Sequence, residues 1–74
     1  MSKWTQPSTQ LPREREAVVV QKIDGGATCA VRQGDKWIDT CFDIFYSDVD
    51  EQWKALDTYD EIEVIRWHSL PLPL

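Results

Sequence analysis

The sequence predicts an α+β domain: a small antiparallel sheet of three to four strands, a meander, with one short helix packed on one face and extended Pro-containing termini on the other. Three observations carry this expectation. Residues 17–42 hold three β-branched or alternating runs separated by two glycine turns. Residues 43–60 change period, with Val49, Trp53 and Leu56 at i, i+4 and i+7. Both ends contain proline, Pro7 and Pro12 ahead and Pro71 and Pro73 behind, which excludes them from helix interiors and central strands.

In chain order, residues 1–16 read as an extended arm, polar and interrupted by proline, closing on the alternating charges RERE. AVVVQKI (17–23) is β-branched and reads as the first strand, DGG (24–26) as a turn. ATCAVR (27–32) is the second strand and KWIDTCF (36–42) the third. A Gly34-Asp35 turn joins these two, with glycine first as a type II′ hairpin requires. A two-residue turn there sets Val31 against Ile38, Cys29 against Thr40 and Ala27 against Phe42. Cys29 and Cys41 then fall on opposite faces, and no disulfide can join them. A three-residue loop would place them opposite each other instead. For the first hairpin, a two-residue turn at Asp24-Gly25 or at Gly25-Gly26 groups Val18 and Val20 with Cys29, Val31, Ile38 and Phe42 as one apolar face.

Residues 43–60 form an acidic insertion with a helix expected from about 48 to 57. Ser47 is a good N-cap, and Asp48, Asp50 and Glu51 sit where the helix dipole favours negative charge. The stripe of Val49, Trp53 and Leu56 would lie on the apolar face of the meander, and burying Trp53 there would contribute roughly 2–3 kcal/mol. EIEVIRW (61–67) reads as the last strand, followed by a Leu-Pro tail to residue 74. The tail favours polyproline II. The two chain ends are expected side by side over Val19, Ile65, Trp67 and Trp37.

Seventy-four residues make one small domain, 1–74, whose modest core is helped by four tryptophans. No apolar run approaches the roughly 20 residues that span a bilayer, and MSKWTQPSTQ has no apolar signal segment, so the expected location is the cytoplasm. The net charge of −5 is unevenly placed. Residues 39–63 hold nine acids against Lys54 alone, whereas residues 1–38 are weakly basic. So dense a negative block argues against direct nucleic-acid binding, which sets cations against phosphate. It permits a basic protein partner, or serves as a solvated face that keeps the chain soluble.

Chemistry-bearing constellations are sparse. His68 is the only histidine and sits in the Trp-to-Leu-Pro packing segment. A Cys41–His68 nucleophile pair would require their strands to be neighbours. Asp48-Val-Asp50-Glu51 lacks the further oxygen donors and the glycine of a calcium loop. Asp39 and Asp43 are paired carboxylates without a pocket. The expectation is a protein that is not an enzyme, with no catalytic, cofactor-binding or metal residues.

The end motifs resemble a known family. Trp4, Leu11-Pro12, Val18 and Val20 at the start, Gly34 and Trp37 in the middle, and Val64-Ile-Arg-Trp67-His-Ser-Leu70-Pro71-Leu-Pro73 at the close are similar to the domain of unknown function five-fifty-one, found in phages and prophages. The resemblance covers residues 4–38 and 61–73; the acidic segment 43–60 is longer than the family's pattern. It implies phage or mobile-element origin and a bacterial host cytoplasm, and supplies no activity. With the charge pattern, the expected function is a small acidic accessory protein that binds and inhibits a host protein with a basic surface. The target would be a nucleic-acid-binding component of a bacterial defence system, in the manner of an anti-CRISPR protein, its basic groove occupied by the acidic face. The partner-binding residues expected are Asp43, Phe45, Tyr46, Asp48, Asp50, Glu51, Asp57, Tyr59, Asp60 and Glu61, on a monomer or homodimer that contacts neither nucleic acid nor membrane. The alternative is a structural or self-associating assembly module of a phage.

Overall fold

A computed structural model describes residues 4–72. Among them the fold is all-β, with seven strands and no helix, which overturns the α+β expectation. The strands are β1 (Val18–Lys22), β2 (Ala27–Gln33), β3 (Lys36–Asp39), β4 (Ile44–Ser47), β5 (Gln52–Ala55), β6 (Glu61–Ile62) and β7 (Val64–His68). Five make one antiparallel sheet in the order β6-β3-β2-β1-β7, and β4 and β5 form a separate two-stranded ladder. No helix among the described residues is long and apolar enough to cross a membrane.

The second hairpin follows from its turn. Gly34 has φ +66 and Asp35 is not left-handed, so only the first turn position needs positive φ. Gln33 pairs Lys36 and Val31 pairs Ile38, the register a two-residue turn dictates. The third strand ends early, however. After Asp39 the chain turns through Cys41 (φ 48) and Phe42 (φ 64), so Phe42 leaves the sheet and stands exposed instead of joining the core.

The first hairpin departs from expectation by one residue. Val18 pairs Ala30 and Val20 pairs Thr28, with Ile23, Asp24 and Gly25 as a three-residue loop. Asp24 Oδ1 accepts a hydrogen bond from the Gly26 amide at 2.8 Å, and Gly25 takes φ +93, the left-handed position that such a loop needs. Because side chains alternate, this one-residue slip turns Val18 and Val20 to the other face. The main core is therefore built on the opposite face of β2 and β3 from the one expected, the face that carries Ala30 and Trp37. Val18, Val20, Ala30, Trp37 and Trp67 form it, with Ile62 and Val64 packed against them. Cys29, Val31 and Thr40 are buried on the opposite face, where β5 approaches β2 over Val31.

The last strand is two pieces. β6 pairs with β3 through Trp37–Ile62 and β7 pairs with β1 through Val20–Trp67, yet only Glu63 separates β6 from β7. Ile62 and Val64 lie at most about 7 Å apart along the chain. Opposite edges of the sheet must therefore meet there. The sheet curls on itself, aided by a register shift between Gln21 and Lys22 in the β1–β7 ladder. Its concave side is the tryptophan core.

The segment expected as helix is the β4–β5 hairpin. Ile44 pairs Ala55, Tyr46 pairs Trp53 and Ser47 pairs Gln52. Ser47 Oγ does accept the Asp50 amide at 3.2 Å, the bond an N-cap would make, but here it closes a turn in which Glu51 is left-handed (φ 54). Val49 and Leu56, two members of the expected buried stripe, are 93% and 71% exposed. Trp53 is half-buried, set edge-on to Tyr46 at 5.6 Å. Tertiary pairing outweighs the helical pattern: Trp53 O accepts the Ala17 amide at 2.8 Å, tying the hairpin to the start of β1.

The ends meet different parts of this frame. Thr5 exchanges backbone hydrogen bonds with Trp67 and covers the outer edge of β7. The arm continues past Gln10, whose carbonyl accepts the Trp67 Nε1 proton at 2.9 Å, and Pro12, whose carbonyl accepts from Arg32. Trp4 lies against His68 (4.6 Å between ring centroids) and under the Arg66 guanidinium (4.7 Å). The Pro71 carbonyl accepts from Trp53 Nε1 at 3.0 Å. The N-terminal arm thus lies along Trp67, but the C-terminal end meets Trp53 instead, and Ile65 is left exposed, so the two ends do not lie side by side over one face. The last part of the expected Leu-Pro tail, residues 73–74, lies outside the described residues.

Trp67 joins the core, the curled edge and the arm. Replacing it, Trp67→Ala, is expected to destabilise the chain by about 3–5 kcal/mol in urea unfolding. A loss below about 1 kcal/mol would contradict this placement.

Candidate partner-binding surface

The loops on either side of the β4–β5 hairpin are locked together at its base. Asp39 Oδ1 accepts from the Cys41 amide and from Thr28 Oγ1, both at 2.8 Å, which holds the left-handed turn at Cys41 and Phe42. The Asp43 amide donates to Thr40 O, and the Leu56 amide to Asp43 O. The second loop is sewn to β3: Tyr59 N donates to Asp39 O, and Asp39 N to Asp60 O. Tyr59 OH closes the arrangement by donating to an Asp43 carboxylate oxygen.

This brings Asp39, Asp43, Asp57 and Asp60 around Cys41 and Tyr59. Electrostatics record the crowding. The Tyr59 phenol is pushed up to about 12, first by its bond to Asp43, then by desolvation and by the charges of Asp43, Asp57 and Cys41. The Cys41 thiol is also raised, by local desolvation and then by Asp39, Asp43 and Asp60. A thiol held protonated is a poor nucleophile.

The remaining acids sit elsewhere. Asp48, Asp50 and Glu51 form the hairpin tip, separated from the base by the four residues of β4, about 13 Å. Asp50 accepts from Lys54 Nζ at 2.6 Å, and this bond holds its carboxyl below the ordinary carboxylate range. Asp50 is thus partly neutralised within the chain. The Glu51 carbonyl accepts from Arg13. Phe45 is exposed on β4, while Tyr46 is half-buried against Trp53. Glu61 is exposed on β6, opposite Ile38.

Of the expected binding residues, then, Asp43, Asp57, Tyr59 and Asp60 gather at one place, and Asp48, Asp50 and Glu51 at another, with Phe45 and Tyr46 between them. Asp39 and Phe42 belong to the first group and were not foreseen as binding residues. The signal for Asp39 was an aspartate whose side chain can bond the amide two residues on, the usual chemistry of an Asx turn.

Exposed large apolar side chains concentrate in the same region. Phe42, Phe45, Val49, Leu56 and Tyr59 are five of the nine on the described surface. An acidic surface carrying aromatic and aliphatic side chains can bind a cationic protein by charge and anchor it by apolar contact. His68 lies on β7 beside Trp4, while Cys41 follows β3, and the two strands are not neighbours in the sheet. Among the described residues no group of three or more His, Cys, Asp or Glu side chains is arranged to hold a metal ion. Comparison of the chain with family models, with curated proteins and with solved structures gives no match in any of the three.

Two outcomes check the loop geometry. In ultraviolet titration, Asp43→Asn is expected to bring the Tyr59 midpoint down from about 12 toward the ordinary value of 10.0; an unchanged midpoint would remove Asp43 as its partner. Native alkylation followed by peptide mapping is expected to label Cys41, which is exposed, and to spare Cys29, which is buried. Labelling of Cys29 in the folded chain would contradict the placement of β2.

Proposed function

We propose that this chain is a small acidic binding protein, not an enzyme, that attaches to a host protein with a basic surface and inhibits it by occupying a groove that otherwise takes nucleic acid. One observation carries the reading: five exposed large apolar side chains fall within the stretch where nine acids face a single lysine. Solvated acidic faces that serve solubility alone have no need of exposed aromatic anchors. The end motifs that resemble the phage and prophage family suggest the setting, a bacterial host cytoplasm; a nucleic-acid-binding defence component is the target the acidic face would suit.

Charge would bring the partner in and fix its orientation, and the apolar side chains would slow its release. Asp57, Asp60, Glu61 and Asp48 are the acids available for this. Asp50 is engaged by Lys54 and Asp43 by Tyr59.

The test is capture of the host protein from bacterial lysate at low and at high salt, followed by competition with nucleic acid. Raising salt from 0.1 to 1 M shortens the screening length from about 10 to about 3 Å, so a charge-steered complex should weaken steeply. Replacing the four free acids together (Asp48→Asn, Asp57→Asn, Asp60→Asn, Glu61→Gln) is expected to preserve folding and lower affinity about tenfold or more, at a few tenths to 1 kcal/mol for each pair. A complex indifferent to salt and to these changes, or a salt-insensitive homodimer with no captured partner, would overturn the proposal.

A further inference from the structure

The β4–β5 hairpin has one covered edge and one open edge. Leu56 N donates to Asp43 O, so residues 43 and 56 are a hydrogen-bonded pair of the ladder. Alternation along an antiparallel ladder then makes Phe45–Lys54 and Ser47–Gln52 the bonded pairs, with Ile44–Ala55 and Tyr46–Trp53 the non-bonded ones. The backbone groups of the latter point away from the hairpin. On the β5 side this is satisfied, since Trp53 O accepts the Ala17 amide. On the β4 side the Tyr46 N–H and C=O point outward, and no backbone or side-chain hydrogen bond from elsewhere reaches them among the described residues.

The Ile44 N–H is taken by Phe42 O, which leaves the Ile44 carbonyl and the Tyr46 N–H and C=O as the open edge, and such an edge is a template for another strand. The outer edge of β7, by contrast, is covered: Thr5 pairs with Trp67 there. We infer that the open edge of β4 receives an extended basic segment of the partner as an added strand. This inference deepens the proposed function and rests on it. Charge decides the occupant. Asp43 and Asp48 bracket the strand, and Asp50, Asp57 and Asp60 lie in the loops beyond its ends. A second copy is disfavoured by the same acids, because an antiparallel pairing centred on Tyr46 lays the Asp43 end of one copy against the Asp48 end of the other. Main-chain bonds would give the added strand its register, and lysine or arginine side chains would meet Asp48 at one end and Asp57 and Asp60 at the other, since Asp43 is engaged by Tyr59 and Asp50 by Lys54.

The probe is a Lys-Val-Lys-Val-Lys-Val hexapeptide, with Glu-Val-Glu-Val-Glu-Val as control, read by amide exchange on the full chain. The expected result is binding of the basic peptide alone, with exchange at the Tyr46 amide slowed about tenfold or more. A chain made with N-methyltyrosine at position 46 keeps the side chain and loses the outward donor; it should fold and bind the peptide at least about tenfold more weakly. Tyr46→Pro is the encoded counterpart, tolerated at an outward-facing edge position. Binding that leaves the Tyr46 amide unprotected, or equal binding of the acidic peptide, overturns the inference, as does protection of Tyr46 in the free chain by self-association. The proposed function fails on a separate observation, the indifference of the lysate complex to salt and to charge removal.

Discussion

Glu63 alone separates a strand on one edge of the sheet from a strand on the other. Every other feature of the fold adapts to that constraint. A sheet of three central strands cannot be flat if its first and last neighbours are continuous in the chain; it must curl until its edges touch. Curling gives the sheet a concave side, and Trp37 from β3 and Trp67 from β7 fill it, over the small side chains of Val18, Val20 and Ala30. A chain of this size has little other apolar volume to bury. The bend therefore supplies both the shape and the stability, and the arm that bonds Trp67 Nε1 through Gln10 braces it.

The same curl decides what is left outside. With the tryptophan core enclosed, the β4–β5 hairpin cannot reach it and packs instead against the convex side, held by Ala17 and by the Trp53–Pro71 contact. Its acids stay in water, as isolated carboxylates must. Its aromatics stay outside the tryptophan core: Phe45 is exposed, and Tyr46 and Trp53 are half-buried against each other. The coincidence of charge and exposed apolar surface in residues 42–59 is thus a consequence of topology, and it is the property that the proposed binding role draws on.

How much of this was legible can be judged from particular residues. The β2–β3 register could be read because Gly34 stands where only one turn position needs positive φ. The β1–β2 register could not. Asp24-Gly25-Gly26 offers several turns, and the bond from Gly26 N to the Asp24 side chain selects the three-residue one, which inverts the core face. The helix expectation failed because its signals are shared with a hairpin. Ser47 caps a turn as readily as a helix, and Asp50 and Lys54 bond across the turn at the spacing that also marks a helical pair. The acidic block was visible in composition. Where its members gather was not, since Asp39 and Phe42 reach the group only through two consecutive left-handed residues that the sequence does not announce.

The closed, curled sheet can be tested in solution without any partner. Nuclear Overhauser contacts between backbone protons across facing strands should appear for Val20 with Trp67 and also for Trp37 with Ile62, which places residues 62–67 against both β1 and β3 at once. Contacts to only one of the two strands, or the sequential amide contacts of a helix over residues 48–57, would contradict the account.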